Sequence, residues 1–565
     1  MVMDNGKIII YQVLPRLFGN SRHGVHDGDI HTNGCGKLAD FTLRALQEIR
    51  ALGATHIWYT GILRHATQTD YRRYGIRPDH PAIVKGKAGS PYAITDYYDV
   101  DPDLARDVPG RVREWENLIH RSHRAGLKVI MDFVPNHVAR GYHSSAAPEG
   151  VVGLGETDNR EHAFDAQNNF YYLPGQELRG RFDMRGGAEE AYREYPARAT
   201  GNDRFDATPE VNDWYETIKL NYGVDYVGGR VAHFNPTPDT WLKMRDILLY
   251  WAGKHVDGFR CDMAEMVPVE FWEWVIPQVK AVHKGLLFIA EIYNPGAYRD
   301  YLFRGGFDYI YDKVGLYDTL RSITVGGQSA TAITRCWQSL QDIQPRMLNF
   351  IENHDEQRAA SDFFAGNAWK AIPALLVATT MNVNPMMIYF GQELGERGME
   401  SEGFSGRDGR TSIFDYTTVD SIRRWRNGGK YDGGLLNDKE RALRRLYQRI
   451  LTLSAAHPAI SRGQFFDLMY VNCGNWRFDE HRQFAFLRHA EEETLLIVVN
   501  FDSTAADLHI NLPQHAFDFL GLTPQLQTSA TDLLSDATET ISFCPTRPTE
   551  INVAGYGARI MRISE

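Results

Sequence analysis

Short apolar runs alternate with helical patterns along most of the chain. A polar loop follows each run, and segments 111–125 and 240–254 repeat their apolar residues with the period of an amphipathic helix. Strands that alternate with helices indicate a parallel sheet. Eight of them close a (β/α)8 barrel, although a doubly wound sheet shows the same alternation. The eight runs are 8–18, 55–63, 127–134, 256–261, 286–292, 307–311, 348–351 and 386–390.

Two stretches interrupt this alternation. Residues 138–235 are rich in Gly, Asn, Asp and Tyr and are too long for a simple connection, which predicts a small domain inserted after the third strand. From residue 464 onwards, short alternating strands separated by turns predict an all-β domain. The strands expected there include 483–488, 494–501 and 558–563. We therefore expect the barrel at 1–137 and 236–463, the inserted domain at 138–235 and a β-sandwich at 464–565.

The charge balance narrows the class of partner. The 565 residues include 61 Lys and Arg against 72 Asp and Glu, a formal net charge of −11, which argues against nucleic acid and anionic membranes. No run reaches the roughly 18 apolar residues of a membrane span. Five scattered cysteines without CxxC spacing favour free thiols over a disulfide framework or a zinc site. Because no leader is evident, we expect a cytoplasmic protein with a neutral partner such as a sugar. The sequence gives no indication of the oligomeric state.

Polar and charged residues collect where four of the predicted strands end. Active sites of barrels lie at this end of the strands, and side chains two residues apart on a strand point the same way. Isolated acids at strand ends are commonly helix caps, and a single histidine there fits a satisfied core residue. Four clusters on separate strands instead indicate a catalytic site. Its candidates are Asp132, Asn136 and His137 after the third run, Arg260 and Asp262 after the fourth, Glu291 after the fifth, and His354 and Asp355 after the seventh.

The motifs at these strand ends resemble a known enzyme family. DFVPNH, GFRCD, the AE of FIAE and ENHD are similar to the four signature regions of glycoside hydrolase family 13, the α-amylase family, and occur in the family's order. Tyr92 with the following DYY, and YFGQE at the eighth run, match as well. The resemblance implies an α/β fold, with a (β/α)8 TIM barrel, a domain B inserted after strand 3 and a C-terminal all-β sandwich, domain C.

The resemblance also implies an activity and site residues. It implies a retaining glycoside hydrolase that cleaves α-glucosidic bonds, foremost α-1,4 linkages, in maltooligosaccharides or starch-like glucans. A pair of carboxyl groups about 5–5.5 Å apart performs such a double displacement. By this likeness the nucleophile is Asp262, the acid/base is Glu291, the third carboxylate is Asp355, the arginine beside the nucleophile is Arg260, the residue that braces it is Asp132, and the sugar-binding residues are Tyr92, His137 and His354.

The family pattern leaves a metal site open. Many members hold a structural calcium between domain B and the barrel, and Asn136 matches one of its ligands. Met266 stands where a histidine is common, and the usual late domain B signature is replaced by Asn212-Asp213-Trp214-Tyr215. No cofactor is expected for the chemistry.

Three alternatives concern function. A transglycosylase or isomerase on the same scaffold would share the catalytic residues. A non-catalytic glucan-binding relative would have lost carboxylates, and all three are present here. Within domain B, Trp214, Tyr215 and Tyr222 either contact a glucan or form the small core of the domain.

Overall fold

A parallel barrel forms the centre of the molecule. The computed structural model describes residues 6–401, 405–491 and 493–564. Eight parallel strands follow the spatial order β7-β6-β5-β4-β3-β2-β1-β8, and a bridge between Asn349 and Met386 brings the two edge strands together. The strands are β1 (Ile9–Val13), β2 (His56–Tyr59), β3 (Lys128–Phe133), β4 (Gly258–Cys261), β5 (Leu287–Ala290), β6 (Tyr309–Tyr311), β7 (Met347–Leu348) and β8 (Met386–Tyr389).

Helices cover the outside of the barrel, so nearly every strand residue is buried on both faces of the sheet. In the second helix Trp115, Leu118 and Ile119 form the buried stripe that its amphipathic pattern predicts. The main helices are α1 (Leu43–Ala51), α2 (Arg111–Arg124), α3 (Asp239–Ala252), α4 (Val269–Val282), α5 (Asp318–Thr324), α6 (Thr331–Leu340), α7 (Ile372–Thr380) and α8 (Asp438–Ala456).

The segment inserted after β3 contains short strand pairs and no long helix among its described residues. His137–Ala139 pairs with Thr217–Lys219, so the first strand after β3 is joined to the far end of the insertion. Tyr172–Leu173 pairs with Ala197–Arg198, and Val224–Asp225 with Val231–Ala232. Ahead of β3, Leu63–His65 pairs with Ile94–Val100 and frames the long loop that carries Tyr92.

The C-terminal region is built on antiparallel sheets. A six-stranded sheet has the order β9-β10-β11-β16-β13-β14, and β12 pairs with β15 in a second sheet. Its strands are β9 (Gln464–Asp467), β10 (Gln483–Ala490), β11 (Glu493–Asn500), β12 (Ala506–Ile510), β13 (Gln525–Asp532), β14 (Thr538–Phe543), β15 (Thr549–Val553) and β16 (Ala558–Ile563). The helix Gln514–Leu520 packs within this region and was not expected.

The predicted fold class is confirmed. Seven of the eight apolar runs contain a barrel strand, and the run 348–351 shares only Leu348 with β7. The first run is shorter than predicted, because Pro15 fixes a helical backbone angle and begins the helix Pro15–Phe18 directly after β1. All five cysteines are free thiols. Among the described helices, none combines the length and the apolar composition that a bilayer crossing requires.

Candidate active site

The carboxyl ends of the parallel strands bring the predicted charged residues together. Arg260 of β4 lies directly opposite Asp132 of β3 in the strand register. Asp262 follows β4, and Glu291 follows β5. Because parallel strands end at one rim of the barrel, residues separated by more than a hundred positions become neighbours there.

One buried guanidinium connects the three acids. Arg260 donates from Nη1 to Asp262 Oδ1 at 2.9 Å and to Asp132 Oδ1 at 3.2 Å, and its Nη2 lies 2.8 Å from Glu291 Oε2. Its Nε donates to the Tyr311 hydroxyl at 3.1 Å. The rings of Trp58, Tyr92 and Tyr311 surround the guanidinium at 5.2–5.5 Å. A planar cation with five fixed donors suits such a bridge.

Burial and mutual repulsion disfavour full ionisation of these acids. Burial raises the pKa of Asp132 to about 6, against the opposing effect of Arg260. Burial, together with Glu291 and Asp132, raises the pKa of Asp262 well above its ordinary value, while Arg260 opposes this rise. The pKa of Asp355 is raised to about 7 by burial and by Glu291. The cluster therefore retains a proton near neutral pH, since several carboxyl groups share one guanidinium.

Two groups close to Glu291 fix its carboxyl orientation. The Met263 N–H donates to Oε2 at 2.8 Å, and the Tyr293 hydroxyl donates to Oε1 at 2.6 Å. Met263 has φ of 43°, in the left-handed region that a residue of this kind rarely adopts. This backbone turn directs the Met263 N–H at Glu291 immediately after Asp262.

Tyr92 lines the cavity and contacts His354, which is fully buried behind it and is not among the residues that line the cavity. The Tyr92 hydroxyl lies 2.6 Å from His354 Nε2, and Gln12 Nε2 lies 2.7 Å from His354 Nδ1. Asp355 Oδ2 is 3.1 Å from His354 Nε2. Burial, with a smaller effect of Arg260, lowers the pKa of His354 well below its ordinary value, so the ring is neutral. Because the Gln12 amide nitrogen donates to Nδ1, the proton of the neutral ring is on Nε2, where it faces the Tyr92 hydroxyl and Asp355; both ring nitrogens are thus engaged within the protein.

His137 lies on the opposite wall, where the inserted segment begins. Burial lowers the pKa of His137 to about 3, and its ring centroid lies 5.3 Å from that of Trp214. Both residues line a cavity of about 320 Å³ together with Asp262, Glu291 and Asp355. This volume is at the lower end of the roughly 300–1,000 Å³ that ligand sites occupy. Trp214 is thus half-buried and reaches the cavity, and its contact with a glucan stays a prediction.

Asn136 lies outside the cavity, in contact with a buried lysine. Its Oδ1 accepts a hydrogen bond from Lys219 Nζ at 2.7 Å, and its Nδ2 donates to Gly201 O at 2.7 Å. Lys219 Nζ also lies 2.5 Å from Asp203 Oδ1, with its side chain only 2% exposed. Calcium binds through several oxygens of this kind. Here an ammonium already holds the amide and carboxylate oxygens, so the residues around Asn136 do not fit a calcium ion.

Sequence reasoning missed several neighbours of the cavity. Trp58 donates from Nε1 to Asp132 Oδ2 at 3.0 Å and is held at the end of β2. Tyr311 stands at the end of β6, and Tyr293 two residues after Glu291. All three lie near the end of a strand, which is the position from which the acids were predicted to belong to the site. That position was the available signal, and aromatic residues there were not considered.

Comparisons with known proteins agree with this arrangement. Residues 12–281 match the family model described as alpha amylase, catalytic domain. The alpha-amylase MalA of Haloarcula japonica is 27% identical over 402 residues, which are 70% of this chain and 45% of that protein. Alpha-amylase 3 of Dictyoglomus thermophilum is 22% identical over 443 residues, 74% of this chain and 76% of that protein. The chain thus spans under half of the first relative and about three quarters of the second.

Solved structures share the fold. The maltogenic alpha-amylase AmyB from Thermotoga neapolitana has a TM-score of 0.63 at 19% identity, with both chains fully covered. The alpha-amylase GTA from Geobacillus thermoleovorans, solved with acarbose, has a TM-score of 0.62 at 19% identity, covering 100% of this chain and 99% of its own. The family match identifies residues 12–281 as an α-amylase catalytic domain, the domain of glycoside hydrolase family 13, and the solved structures show that the whole chain shares their fold.

Proposed function

We propose that this protein is a retaining α-glucoside hydrolase acting on soluble maltooligosaccharides, foremost at α-1,4 linkages. The observation that carries the proposal is the Arg260 guanidinium bound to both Asp262 and Glu291. Two nitrogens of one planar group hold these carboxyl groups close together. This supports the short spacing of retaining enzymes over the roughly 6.5–9.5 Å of inverting ones, which must admit a water between the carboxyl groups.

The reaction then proceeds in two displacements. An Asp262 oxygen attacks the anomeric carbon while the Glu291 carboxyl gives its proton to the leaving glycosidic oxygen, so one C–O bond forms as the other breaks. Glu291, now ionised, takes a proton from water, and the water oxygen displaces Asp262 from the sugar. Asp262 leaves as a carboxylate, and Glu291 regains its proton. Met263 N–H and the Tyr293 hydroxyl keep Glu291 facing the bond through both steps.

The surrounding residues bind the ring that stays on Asp262. We assign sugar hydroxyls to Asp355 and His137, and the face of the ring to Tyr92. In place of the sugar contact predicted from the sequence, we assign His354 a positioning role, because it contacts Tyr92 and Asp355 and does not line the cavity. Asp132 acts through Arg260 and is a positioning residue, because it touches the guanidinium and not the cavity. The polar groups that converge on a small cavity support recognition of a neutral, hydroxyl-rich ligand.

The substrate class and compartment are part of the same proposal. The relatives include proteins named maltase A1 of Drosophila melanogaster and neopullulanase 2 of Thermoactinomyces vulgaris, besides those named alpha-amylase. We infer a soluble maltooligosaccharide for this chain because the cavity is small. The five free thiols support a reducing compartment, the cytoplasm.

The test uses maltoheptaose and two conservative variants. Asp262→Asn and Glu291→Gln should each lower kcat by more than about a hundredfold, since an amide neither attacks nor transfers the proton. Proton NMR of the first product should show the α-anomer. Variants that retain a tenth of the wild-type kcat, or a first product in the β form, would contradict the proposal. Products longer than maltoheptaose at high substrate would reveal transfer.

A further inference from the structure

An ion pair between a partly buried lysine and a buried glutamate lines the same cavity and has no part in the chemistry above. Lys85 Nζ lies 2.9 Å from Glu216 Oε1, with the side chains 26% and 4% exposed. Lys85 belongs to the long loop that carries Tyr92, and Glu216 belongs to the inserted domain between Trp214 and Lys219. Both line the same cavity as Asp262 and Glu291.

Glu216 has an unused acceptor. Its Oε2 is buried and has no hydrogen-bond partner anywhere in the described ranges. A buried carboxylate oxygen without a donor is costly, and native structures usually satisfy such atoms. Because this carboxylate lines the cavity, a hydroxyl of a bound sugar can supply the missing donor.

A fully paired carboxylate in the same domain looks different. Glu194 accepts at Oε1 from Arg140 Nη1 at 2.8 Å and from the Arg198 N–H at 2.8 Å. Its Oε2 accepts from the Tyr192 hydroxyl and from Arg198 Nη2. Both oxygens of Glu194 are thus satisfied within the protein, whereas one oxygen of Glu216 is left for a ligand.

The Phe414 ring lies next to the Lys85–Glu216 ion pair, and we name these three side chains the Lys85–Glu216–Phe414 wall. Lys85 Nζ lies 5.6 Å from the Phe414 ring centroid. The loop after β8 holds this ring in place, because Phe414 O accepts from the Ala88 N–H at 3.0 Å and Ile413 O accepts from Arg16 Nη1 at 3.0 Å. The wall therefore joins three separate segments of the chain.

The position of the wall indicates which side of the substrate it limits. Lys85 lies on the segment that carries Tyr92, and Glu216 directly precedes the strand Thr217–Lys219, which pairs with His137–Ala139. Tyr92 and His137 are the residues assigned to the ring that stays on Asp262. The leaving sugar departs near Glu291, which follows β5 and contacts Met263 and Tyr293. The wall thus bounds the non-reducing side of the scissile bond.

We propose that Lys85, Glu216 and Phe414 bind the non-reducing end of the glucan and stop the chain there, so that the enzyme cleaves from chain ends. This inference rests on the proposed hydrolase function. The ligand recognised is a terminal α-glucosyl group, whose free hydroxyls reach Glu216 Oε2 and the Lys85 ammonium. An internal segment of a polymer would need to pass through the wall.

A pair of matched substrates tests this directly. Nitrophenyl maltoheptaoside is compared with the same compound blocked at its non-reducing end, and the oligosaccharide products are separated by chromatography. We expect kcat/KM on the free end to exceed that on the blocked end by at least about a hundredfold. Equal values would contradict the proposal that these three side chains stop the chain at its non-reducing end. Failure to cleave either compound, or any unmodified maltooligosaccharide, would overturn the proposed hydrolase function instead.

Variants separate binding from a merely structural role. Phe414→Ala should raise kcat/KM on the blocked substrate at least tenfold. Glu216→Gln and Lys85→Met should lower kcat/KM on maltotriose about tenfold, the effect of one charge-assisted hydrogen bond, and should change it less on longer chains. Glu210→Gln, which removes an exposed charge six residues away, is the control and should change neither value. A lowered melting temperature, with one common factor for all substrates, would show that the pair only braces the inserted domain.

Discussion

At the scale of single residues, the buried acids of the cavity lower the stability of the fold at neutral and higher pH. Several acids share the Arg260 guanidinium, and burial raises the pKa of Asp355 to about 7. An acid with a higher pKa in the folded state than in the unfolded chain destabilises the fold as the pH rises. Between the unfolded pKa of about 4 and the folded value, the folded state alone keeps the proton. The destabilisation is therefore complete above about pH 7.

Replacing Asp355 should therefore make the fold more stable at high pH. Asp355→Asn removes the ionisable group, so we expect a higher melting temperature than that of the wild type at pH 8 and little difference near pH 4, with activity lost. Thermal unfolding at the two pH values measures it. Asp362→Asn, at an exposed acid paired with Arg397, should give no such pH-dependent gain. An Asp355→Asn protein that is less stable than the wild type at pH 8 would contradict the argument.

At the scale of elements, a buried ion pair fastens the end of β7 to the loop after β8. Arg358 Nη1 lies 3.0 Å from Glu352 Oε1 and donates to Phe390 O at 2.8 Å, while Nε donates to Thr411 Oγ1 at 2.9 Å. Neither charged side chain is exposed by more than 1%. Removing one partner of a buried pair leaves the other unpaired in a medium of low polarity, which costs more than the loss of an exposed pair.

We therefore expect Arg358→Met to lower the free energy of unfolding by about 3 kcal/mol or more. Arg397→Met, at an arginine whose partner Asp362 is 60% exposed, should cost less than about 1 kcal/mol. Urea unfolding of the two variants beside the wild type gives both values. Similar losses in the two would mean that burial does not set the strength of the Arg358 pair.

At the scale of the whole molecule, Lys219 joins the inserted domain to the barrel. It reaches Asn136, three residues after β3, and Asp203 within the insertion. We expect a chelator to leave the melting temperature unchanged, because an ion that is not bound cannot stabilise the fold. Lys219→Met should lower that temperature, since it removes the donor to the buried Asn136 Oδ1 and the cation beside the half-buried Asp203.

Lys254→Met is the matched control for this variant. Lys254 pairs with Glu116 on the outside of the barrel, with side chains 28% and 33% exposed, and its loss should matter little. A drop in melting temperature on chelation that added calcium reverses would show that a metal, and not Lys219, holds the domain.

Much of the fold, and the meeting of charged residues at the carboxyl ends of the strands, could be predicted from the sequence, while the catalytic roles of those residues stay predictions. The barrel strands are short, buried on both faces and set apart by helices, so each is visible as a local apolar run. Asp132, Arg260, Asp262, Glu291 and Asp355 stand at strand ends and fall into recognisable motifs. The helix Gln514–Leu520 was not foreseen, because a two-turn helix among alternating strands leaves little periodic signal.

The sequence by itself determined where the strands lie and which residues meet at their ends, because both depend on local periodicity and on the common direction of parallel strands. Only the tertiary structure decided that one guanidinium binds both Asp262 and Glu291, that Lys219 takes the position beside Asn136, and that Lys85 meets Glu216. These contacts join residues from different loops. Their geometry depends on how long, irregular segments pack together, and no periodic pattern in the chain encodes that packing.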